Sequence, residues 1–251
     1  MLSLGCIHHS ILDSGGFNMK KLVLLLMGVL FFSGISYAQN IGPSVPPKNQ
    51  QGDVTSFNLG AGYNYRQAEY DGVDIEQNQA YAHFGIVRSD VSMNDYEIYV
   101  RLGGATFEED DDNFDGGTET MYAAGLRTVF YQGQTFGLGG VLQGIYFDDF
   151  TDSVTVDDQK IDVSLEDSWE VEVALPIHAN IINGLVYFGP VFYSATTDVT
   201  SNNFQDEGDL DEDNNLGAFG GVALRFNNLS IELEAKYRSD ISAGALVTFA
   251  F

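Results

Sequence analysis

The C-terminal stretch of the chain, AGALVTFAF over residues 243–251, alternates its side chains between two faces. One face carries Ala245, Val247, Phe249 and Phe251, so the chain ends on an aromatic residue in the apolar phase. A period of two residues is that of a β-strand, because successive side chains of a strand point to opposite sides of the sheet. The stretch therefore predicts a final β-strand with one strongly apolar face.

The same period of two recurs along most of the preceding chain, without a convincing helical period. In the segment 96–103 (YEIYVRLG), for example, Ile98 and Val100 alternate with Glu97 and Tyr99. The pattern predicts about ten strands, with eight to twelve compatible with it, and each is near or above the 9–11 residues that a tilted strand needs to cross a bilayer. The segments run over 54–66, 78–88, 95–108, 118–131, 135–148, 167–180, 184–197, 215–227, 229–238 and 241–251.

The connections between these segments are of two alternating kinds. Short connections occur around Val91, Gly133, Ile182 and Asn227-Asn228, and long acidic ones occur around Tyr70, Asp112, Asp157 and Asp209. The link at Ser239-Asp240 is short, but in the alternation along the chain it takes the place of a long connection. Such alternation is typical of an up-and-down barrel with tight periplasmic turns and longer outer loops, and an even strand number places both termini in the periplasm.

A charged stripe runs along the polar face of these strands. It carries five acids and four bases, a nearly neutral balance in a chain whose formal charge is −25. Its members are Glu97, Arg101, Arg127, Glu170, Glu172, Arg225, Glu232, Glu234 and Lys236. Balanced charges suit a confined space, because an unpaired buried charge is costly, so the stripe predicts a charge network inside a barrel. The network either lines a selective pore, forms a gate of switching ion pairs, or fills the lumen as a structural core.

The opposite stripe is apolar and predicts a surface in contact with lipid. Aromatic residues near the segment ends, which resemble the girdles at the two membrane interfaces, are Tyr63, Tyr65, Tyr96, Trp169 and Tyr237. Lipid cannot satisfy an open strand edge, so a spanning sheet must close and the last strand must pair with the first. The sequence therefore predicts an all-β fold, a closed antiparallel up-and-down transmembrane β-barrel over residues 54–251.

The N-terminal region predicts a secretion signal. Met19-Lys20-Lys21 precedes an apolar run over 22–35 and the small-residue site Ser36-Tyr37-Ala38, which is the pattern of a cleaved signal peptide. We therefore assign residues 1–38 to the signal, with translation starting at Met19. An N-terminal membrane anchor is the alternative, but the run is shorter than the ~20 residues of a spanning helix. Residues 39–53 hold three of the five prolines and predict a flexible periplasmic lead-in.

The composition excludes several classes of function. With 36 acids against 11 bases, the chain would repel a phosphate backbone, so we expect no nucleic-acid partner. The only cysteine, Cys6, precedes the predicted cleavage site, so the mature chain would hold no disulfide or thiolate site. His83 and His178 lie on polar phases, but nothing in the sequence brings either near Ser168 or Ser194. We expect no catalytic residues and no enzyme activity.

Two acidic segments offer the alternating oxygen ligands that Ca²⁺ prefers. One contains Asp111, Asn113 and Asp115, and the other contains Asp209, Asp211 and Asp213. Neither has the glutamate that completes an EF-hand loop. They are interpreted as solvated acidic loops or as weak Ca²⁺ sites that bridge to phosphates of lipopolysaccharide, and we expect no other cofactor.

The terminal pair Phe249 and Phe251, with its alternating apolar neighbours, resembles the assembly signal of bacterial outer-membrane β-barrel proteins. The segment 59–65 (LGAGYNY) is similar to the first strand of the small OmpA/OmpX-like barrels, although those have eight strands. The resemblance covers residues 54–251 as a pattern. It implies an outer-membrane location, insertion by the barrel-assembly machinery, and contact with lipid and lipopolysaccharide, and we expect a monomer. The strand number also resembles that of the omptin proteases, whose acidic and histidine catalytic pairs cannot be placed on this chain.

Three functions are compatible with this pattern. The leading hypothesis is a porin-like barrel with a structural or narrow-pore role and acidic extracellular loops. The alternative is a cation-dependent surface adhesin or ligand-binding barrel. A lipid-modifying barrel enzyme is the third.

Overall fold

The computed structural model describes residues 40–48, 55–70, 73–89, 95–109, 114–156, 159–201, 208–212, 215–238 and 241–251. Thirteen strand segments in these ranges form one antiparallel sheet. They are β1 (Thr55–Tyr70), β2 (Val73–Arg88), β3 (Tyr96–Glu109), β4 (Asp115–Gln132), β5 (Phe136–Phe147), β6 (Phe150–Val156), β7 (Gln159–Ala174), β8 (Ile177–Ile181), β9 (Gly184–Ser201), β10 (Gly208–Asp211), β11 (Leu216–Phe226), β12 (Leu229–Tyr237) and β13 (Ile241–Ala250). Within these ranges no helix is long and apolar enough to cross a membrane.

The thirteen segments make ten barrel strands, because three of the barrel strands are interrupted. β6 continues β5, β10 and β11 both pair with β9, and β8 continues β7 beyond Pro176, which has no N–H to donate to a ladder. The sheet closes where β13 pairs with β1, with Leu59 opposite Phe249 and Tyr63 opposite Ala245. The predicted fold, a closed antiparallel barrel of ten strands, is therefore confirmed.

Two tight turns lie at the same end of the barrel as Thr55 and Phe251, and we call this the short-turn end. Asn183, between β8 and β9, has a φ of 59°, and Asn227, between β11 and β12, has a φ of 55°. Asparagine adopts positive φ more readily than most residues, which is why it is common in tight turns of this kind. The turns lie where the sequence predicts short connections.

The opposite end, which we call the loop end, differs from the sequence-based expectation. Long loops are expected around Tyr70 and Asp157, but the β1–β2 ladder continues to the pair Tyr70–Val73 and the β6–β7 ladder continues to Val156–Gln159. Backbone groups need hydrogen-bond partners outside the membrane as well, and a continued ladder supplies them. The strands β1 and β2, of 16 residues each, exceed the 9–11 residues that a tilted strand needs to cross a bilayer, so this hairpin projects beyond the membrane-facing part of the barrel.

The outer face of the barrel is the apolar one. Val100 and Val173 are 46% and 43% exposed, whereas Glu97 and Glu172 of the same strands are 0% and 1% exposed. Tyr122, Tyr146 and Trp169 are consecutive exposed partners across β4, β5 and β7, which is typical of an aromatic girdle at a membrane interface. A closed sheet with apolar side chains outward and ionised side chains inward suits a bilayer and would be unfavourable in water.

The interior is polar over most of its height but apolar near the loop end. The rings of Phe107 and Phe150 lie 5.3 Å apart between centroids, and those of Phe147 and Phe150 lie 6.2 Å apart. Further buried members of this cluster, which we call the apolar cap, include Ile75, Phe114, Met121 and Leu165. The cap fills the lumen where the hairpins project.

A candidate functional site in the barrel lumen

Four charged side chains form a closed ring of ion pairs across the lumen. Each guanidinium group of Arg66 and Arg238 bridges the carboxylates of Glu170 and Glu212, so every member has two partners of opposite charge. The Arg238 Nη1 to Glu170 Oε1 distance is 2.5 Å. All four side chains are at most 4% exposed. We call this set the ionic ring.

The ionic ring connects opposite walls of the barrel. Arg66 lies on β1, the first barrel strand, and Glu170 lies on β7, part of the sixth. In a ring of ten strands, the first and sixth face each other, so this ion pair crosses the full width of the lumen. Glu212 and Arg238 follow β10 and β12 and complete the ring from the remaining wall.

The ionic ring continues into a second set of contacts. Glu172 accepts hydrogen bonds from Lys236, from Gln143 and, at 3.1 Å, from Arg238 Nη1. The Arg238 guanidinium also stacks 3.6 Å from the centroid of the Tyr193 ring, a cation–π contact that is stronger when both groups are desolvated.

A second bridge crosses the lumen nearer the short-turn end. Arg127 of β4 pairs with Glu97 of β3 and, at 3.2 Å, with Glu232 of β12 on the facing wall. Asn58 donates to Glu97 at 2.7 Å. Gly85 leaves the space that this carboxylate occupies, since a Cβ there would lie 2.8 Å from Glu97 Cδ.

Residues 40–48 also lie in the lumen, and we call them the N-terminal plug. Ile41 N and Gly42 N donate to the Glu234 carboxylate at 2.7 and 2.8 Å, and Ile41 is 1% exposed. Lys48, at the mouth of the barrel, pairs with Asp95. The sequence places these residues in a flexible periplasmic lead-in. The structure differs, because side chains of the lumen wall satisfy the main chain of the plug.

Comparisons with known proteins bear on the fold. No protein-family model matches the chain, and no curated protein matches it. The translocator domain of the autotransporter NalP from Neisseria meningitidis is similar in structure, with a TM-score of 0.52 and 10% identity over 93% of this chain and 94% of that one. The fold is that of a bacterial outer-membrane β-barrel.

Two further structures resemble this outer-membrane barrel more weakly. The transport unit of the autotransporter AIDA-I from Escherichia coli has a TM-score of 0.42 and 11% identity, covering 82% of this chain and 93% of that one. The toluene transporter TodX from Pseudomonas putida has a TM-score of 0.41 and 10% identity, covering 86% and 94%. The likenesses concern architecture alone. The apolar outer face is what places the present barrel across a membrane.

All nine charged residues that the sequence assigns to the lumen lie on the inner face of the outer-membrane barrel. Eight are buried, and Arg225 is partly exposed near the short-turn end. Two of the nine have partners other than carboxylates. Arg101 lies over the Tyr81 and Tyr99 rings and donates to Gln143 Oε1 at 3.2 Å, and Arg225 donates to carbonyl groups of the N-terminal plug.

Three members of the ionic ring were missed by the sequence reasoning. Arg66 continues the inward phase of Asn64 on β1, and Arg238 continues that of Lys236, so both could have been found by extending the alternation. Glu212 stands in an acidic segment that the sequence assigns to a loop. With these three residues the described lumen holds six glutamates and six cationic side chains.

Among the described residues, one serine–histidine contact occurs in the barrel, and it involves Ser44 rather than Ser168 or Ser194. Ser44 Oγ lies 3.2 Å from His178 Nδ1, and His178 Nε2 lies 2.8 Å from Gln132 Oε1. This order resembles that of a nucleophile, a base and an orienting group. However, the Ser44 side chain is enclosed, and an amide stands where a carboxylate would stabilise a charged imidazole. The contact anchors the N-terminal plug.

The serines considered in the sequence analysis have other surroundings. Ser168 bonds the Thr197 hydroxyl at 2.5 Å, and Ser194 is exposed on the outer face. Neither is brought to a histidine by a contact of the described residues.

The predicted Ca²⁺ ligands fall only partly within the described residues. Asp111, Asn113 and Asp213 lie outside them. Asp115 Oδ1 accepts from Gly117 N at 3.0 Å, and Asp209 and Asp211 are exposed on β10. The described residues contain no group of three or more side chains that could hold a metal ion. Calcium binding by the complete loops stays a prediction.

Proposed function

We propose that this chain is a non-enzymatic outer-membrane barrel protein with a sealed lumen and a structural, surface-exposed role. It would be inserted as a monomer by the barrel-assembly machinery, which would read the terminal Phe249 and Phe251, and it would contact lipopolysaccharide. The observation that supports the proposal is the filling of the lumen at three levels, by the apolar cap, the ionic ring and the N-terminal plug.

The energetics favour the sealed version over an open porin. A barrel of eight strands is only wide enough to be filled by side chains, and ten strands add little width. A solute could pass only if buried ion pairs separated, and a buried charge without its partner costs about 3–5 kcal/mol. Opening would have to overcome this cost at two bridges and then displace the apolar cap.

Conductance tests the sealed lumen directly. We expect the purified protein, inserted in a planar lipid bilayer, to show no channel openings above the baseline. Insertion would be checked by the shift in gel migration between heated and unheated samples, with an open porin recorded in parallel. Steady openings of the unmodified protein would contradict the proposal.

A second candidate, a cation-dependent surface protein, is supported by how the charges divide. Of the nine bases after residue 38, six lie in the lumen and Lys48 and Arg88 lie at the short-turn end. Lys160 is the ninth base. It stands next to the connection between β6 and β7 at the loop end, whereas more than twenty acids stand in or next to the connections at that end. So much negative charge on one surface attracts divalent cations.

Calcium titration tests this second candidate. Millimolar Ca²⁺ is expected to raise the midpoint of thermal unfolding by about 5 °C, since a ligand at a hundred times its Kd stabilises by about 2.7 kcal/mol. NaCl at equal ionic strength and the double variant Asp209→Asn/Asp211→Asn serve as controls. An unmoved midpoint would reject a calcium-dependent role.

A further inference from the structure

The lumen wall near the short-turn end recognises the main chain of the N-terminal plug. The two carboxylate oxygens of Glu234 accept one amide hydrogen each, from Ile41 N and Gly42 N. Arg225 Nη2 donates to Val45 O at 2.8 Å, three residues further along the same segment. These hydrogen bonds are made to main-chain groups of the plug rather than to its side chains, as in the binding of an extended peptide.

Two further wall contacts fix the position of the plug along the lumen. Asn58 Nδ2 donates to Pro47 O at 3.2 Å, and His178 holds the Ser44 hydroxyl. The Ile41 side chain inserts into a buried apolar cluster with Leu185 and Tyr187. The wall residues come from β1, β8, β9, β11 and β12, so they enclose the plug from several sides.

The plug is bound to the barrel without being part of its sheet. None of residues 40–48 belongs to a strand, and Pro43, Pro46 and Pro47 lack the N–H that a ladder requires. Gly42 has a φ of +76°, a backbone conformation that glycine adopts at no steric cost and that redirects the chain just after the two N–H groups bound by Glu234. The side-chain amide of Asn40 is buried, and among the described residues neither its nitrogen nor its oxygen has a hydrogen-bond partner. Side-chain contacts of this kind can break and be made again with another peptide, whereas the paired strands of the closed barrel cannot be exchanged in this way.

We propose that residues 40–48 are an exchangeable peptide ligand of the barrel, seated in a binding vestibule that opens at the short-turn end. The vestibule takes an extended, proline-containing peptide with one aliphatic anchor, two successive amide N–H groups for Glu234 and carbonyl groups for Arg225 and Asn58. The ionic ring and the apolar cap close the lumen beyond it, so release of the plug exposes a blind site on one side of the membrane rather than a pore.

Cysteine labelling measures the release. In a Cys6→Ser background the chain has no cysteine, and Ser44→Cys places one at an enclosed position. A membrane-impermeant maleimide is expected to label it slowly in the protein purified from membranes. Adding Glu234→Gln is expected to accelerate labelling at least tenfold, because the plug loses its charged anchor, while Glu119→Gln at the loop end leaves the rate unchanged. Equal rates in all three proteins would overturn the proposal.

A plug variant with an intact wall tests the vestibule itself and guards against misfolding of the Glu234→Gln barrel. Ile41→Asp puts a charge in the apolar anchor position and is expected to free the plug. A fluorescein-labelled peptide of residues 39–48 (QNIGPSVPPK) should then bind this variant by fluorescence anisotropy, and should not bind the unmodified protein, whose vestibule is occupied. A scrambled peptide should bind neither. Absence of binding to a folded Ile41→Asp barrel would exclude a peptide site. Conductance of the unmodified protein would refute the sealed lumen without bearing on either result.

Discussion

Replacing Arg238 with methionine is expected to lower the free energy of unfolding by about 3–5 kcal/mol, the loss that follows when one partner of a buried ion pair is removed. Arg238 bridges Glu170 and Glu212 in the ionic ring and also contacts Glu172, and it is at most 3% exposed. Methionine fills much of the same volume but removes one cation from these three buried carboxylates. Among the described residues, Glu170 and Glu212 then share Arg66 alone, and Glu172 keeps only Lys236, in a space that water cannot easily reach. The loss should therefore be electrostatic rather than a cavity effect.

Equilibrium unfolding in urea, with the barrel folded into lipid vesicles, measures this change. Arg88→Met is the matched control, because Arg88 is exposed at the short-turn end and should change stability by less than about 0.5 kcal/mol. Combining Arg238→Met with Glu212→Gln should restore part of the loss, since the second change removes the excess negative charge and leaves Arg66 paired with Glu170. Equal stability of Arg238→Met and Arg88→Met would show that the ionic ring contributes nothing to the fold.

Arginine in place of Val100 is expected to destabilise the barrel in a bilayer by about 2–4 kcal/mol, the cost of a cationic side chain at mid-depth on the lipid face. Val100 lies on the outer face of β3, between Ile98 and Leu102, and is 46% exposed. The charged group would lie among apolar neighbours, because the glutamates are on the other side of the sheet.

The same vesicle measurement checks this expectation. Thr118→Arg is the control, because Thr118 is exposed on the outer face of β4 beyond the aromatic girdle, where the cost falls to about 0–1 kcal/mol. A loss of equal size at both positions, or none at Val100, would contradict the assignment of the apolar face to lipid. In a soluble barrel, arginine at an exposed site would be close to neutral.

The interior of the barrel could be predicted where its charged residues stand in strands whose other face is apolar. Glu97 and Arg127 stand in strands whose other face is apolar, so their phase is evident from sequence alone. The apolar cap could not be found in this way. On β5, Ile145 and Phe147 face inward while Leu142 and Tyr146 face outward, and a strand that is apolar on both faces does not reveal which one meets lipid.

The N-terminal plug was outside the reach of sequence patterns for a different reason. Its prolines and its lack of periodicity are typical of a flexible lead-in. Nothing in the plug segment itself indicates which residues of the barrel wall bind it. Glu234 holds Ile41 and Gly42, and Arg225 holds Val45, although these partners lie some 180 or more residues away along the chain. The same separation hid the Ser44–His178 contact.

The sequence by itself determined the strands, their approximate number, the side of each strand that carries charge and the closure of the last strand on the first. Each of these follows from a period of two residues, which is a property of neighbouring positions in the chain. Only the tertiary structure decided which charges meet, because Arg66 faces Glu170, and Arg127 faces Glu232, only once ten strands have closed at a given stagger. The circumference of the barrel sets which residues face each other across the lumen, and no short stretch of sequence determines that circumference.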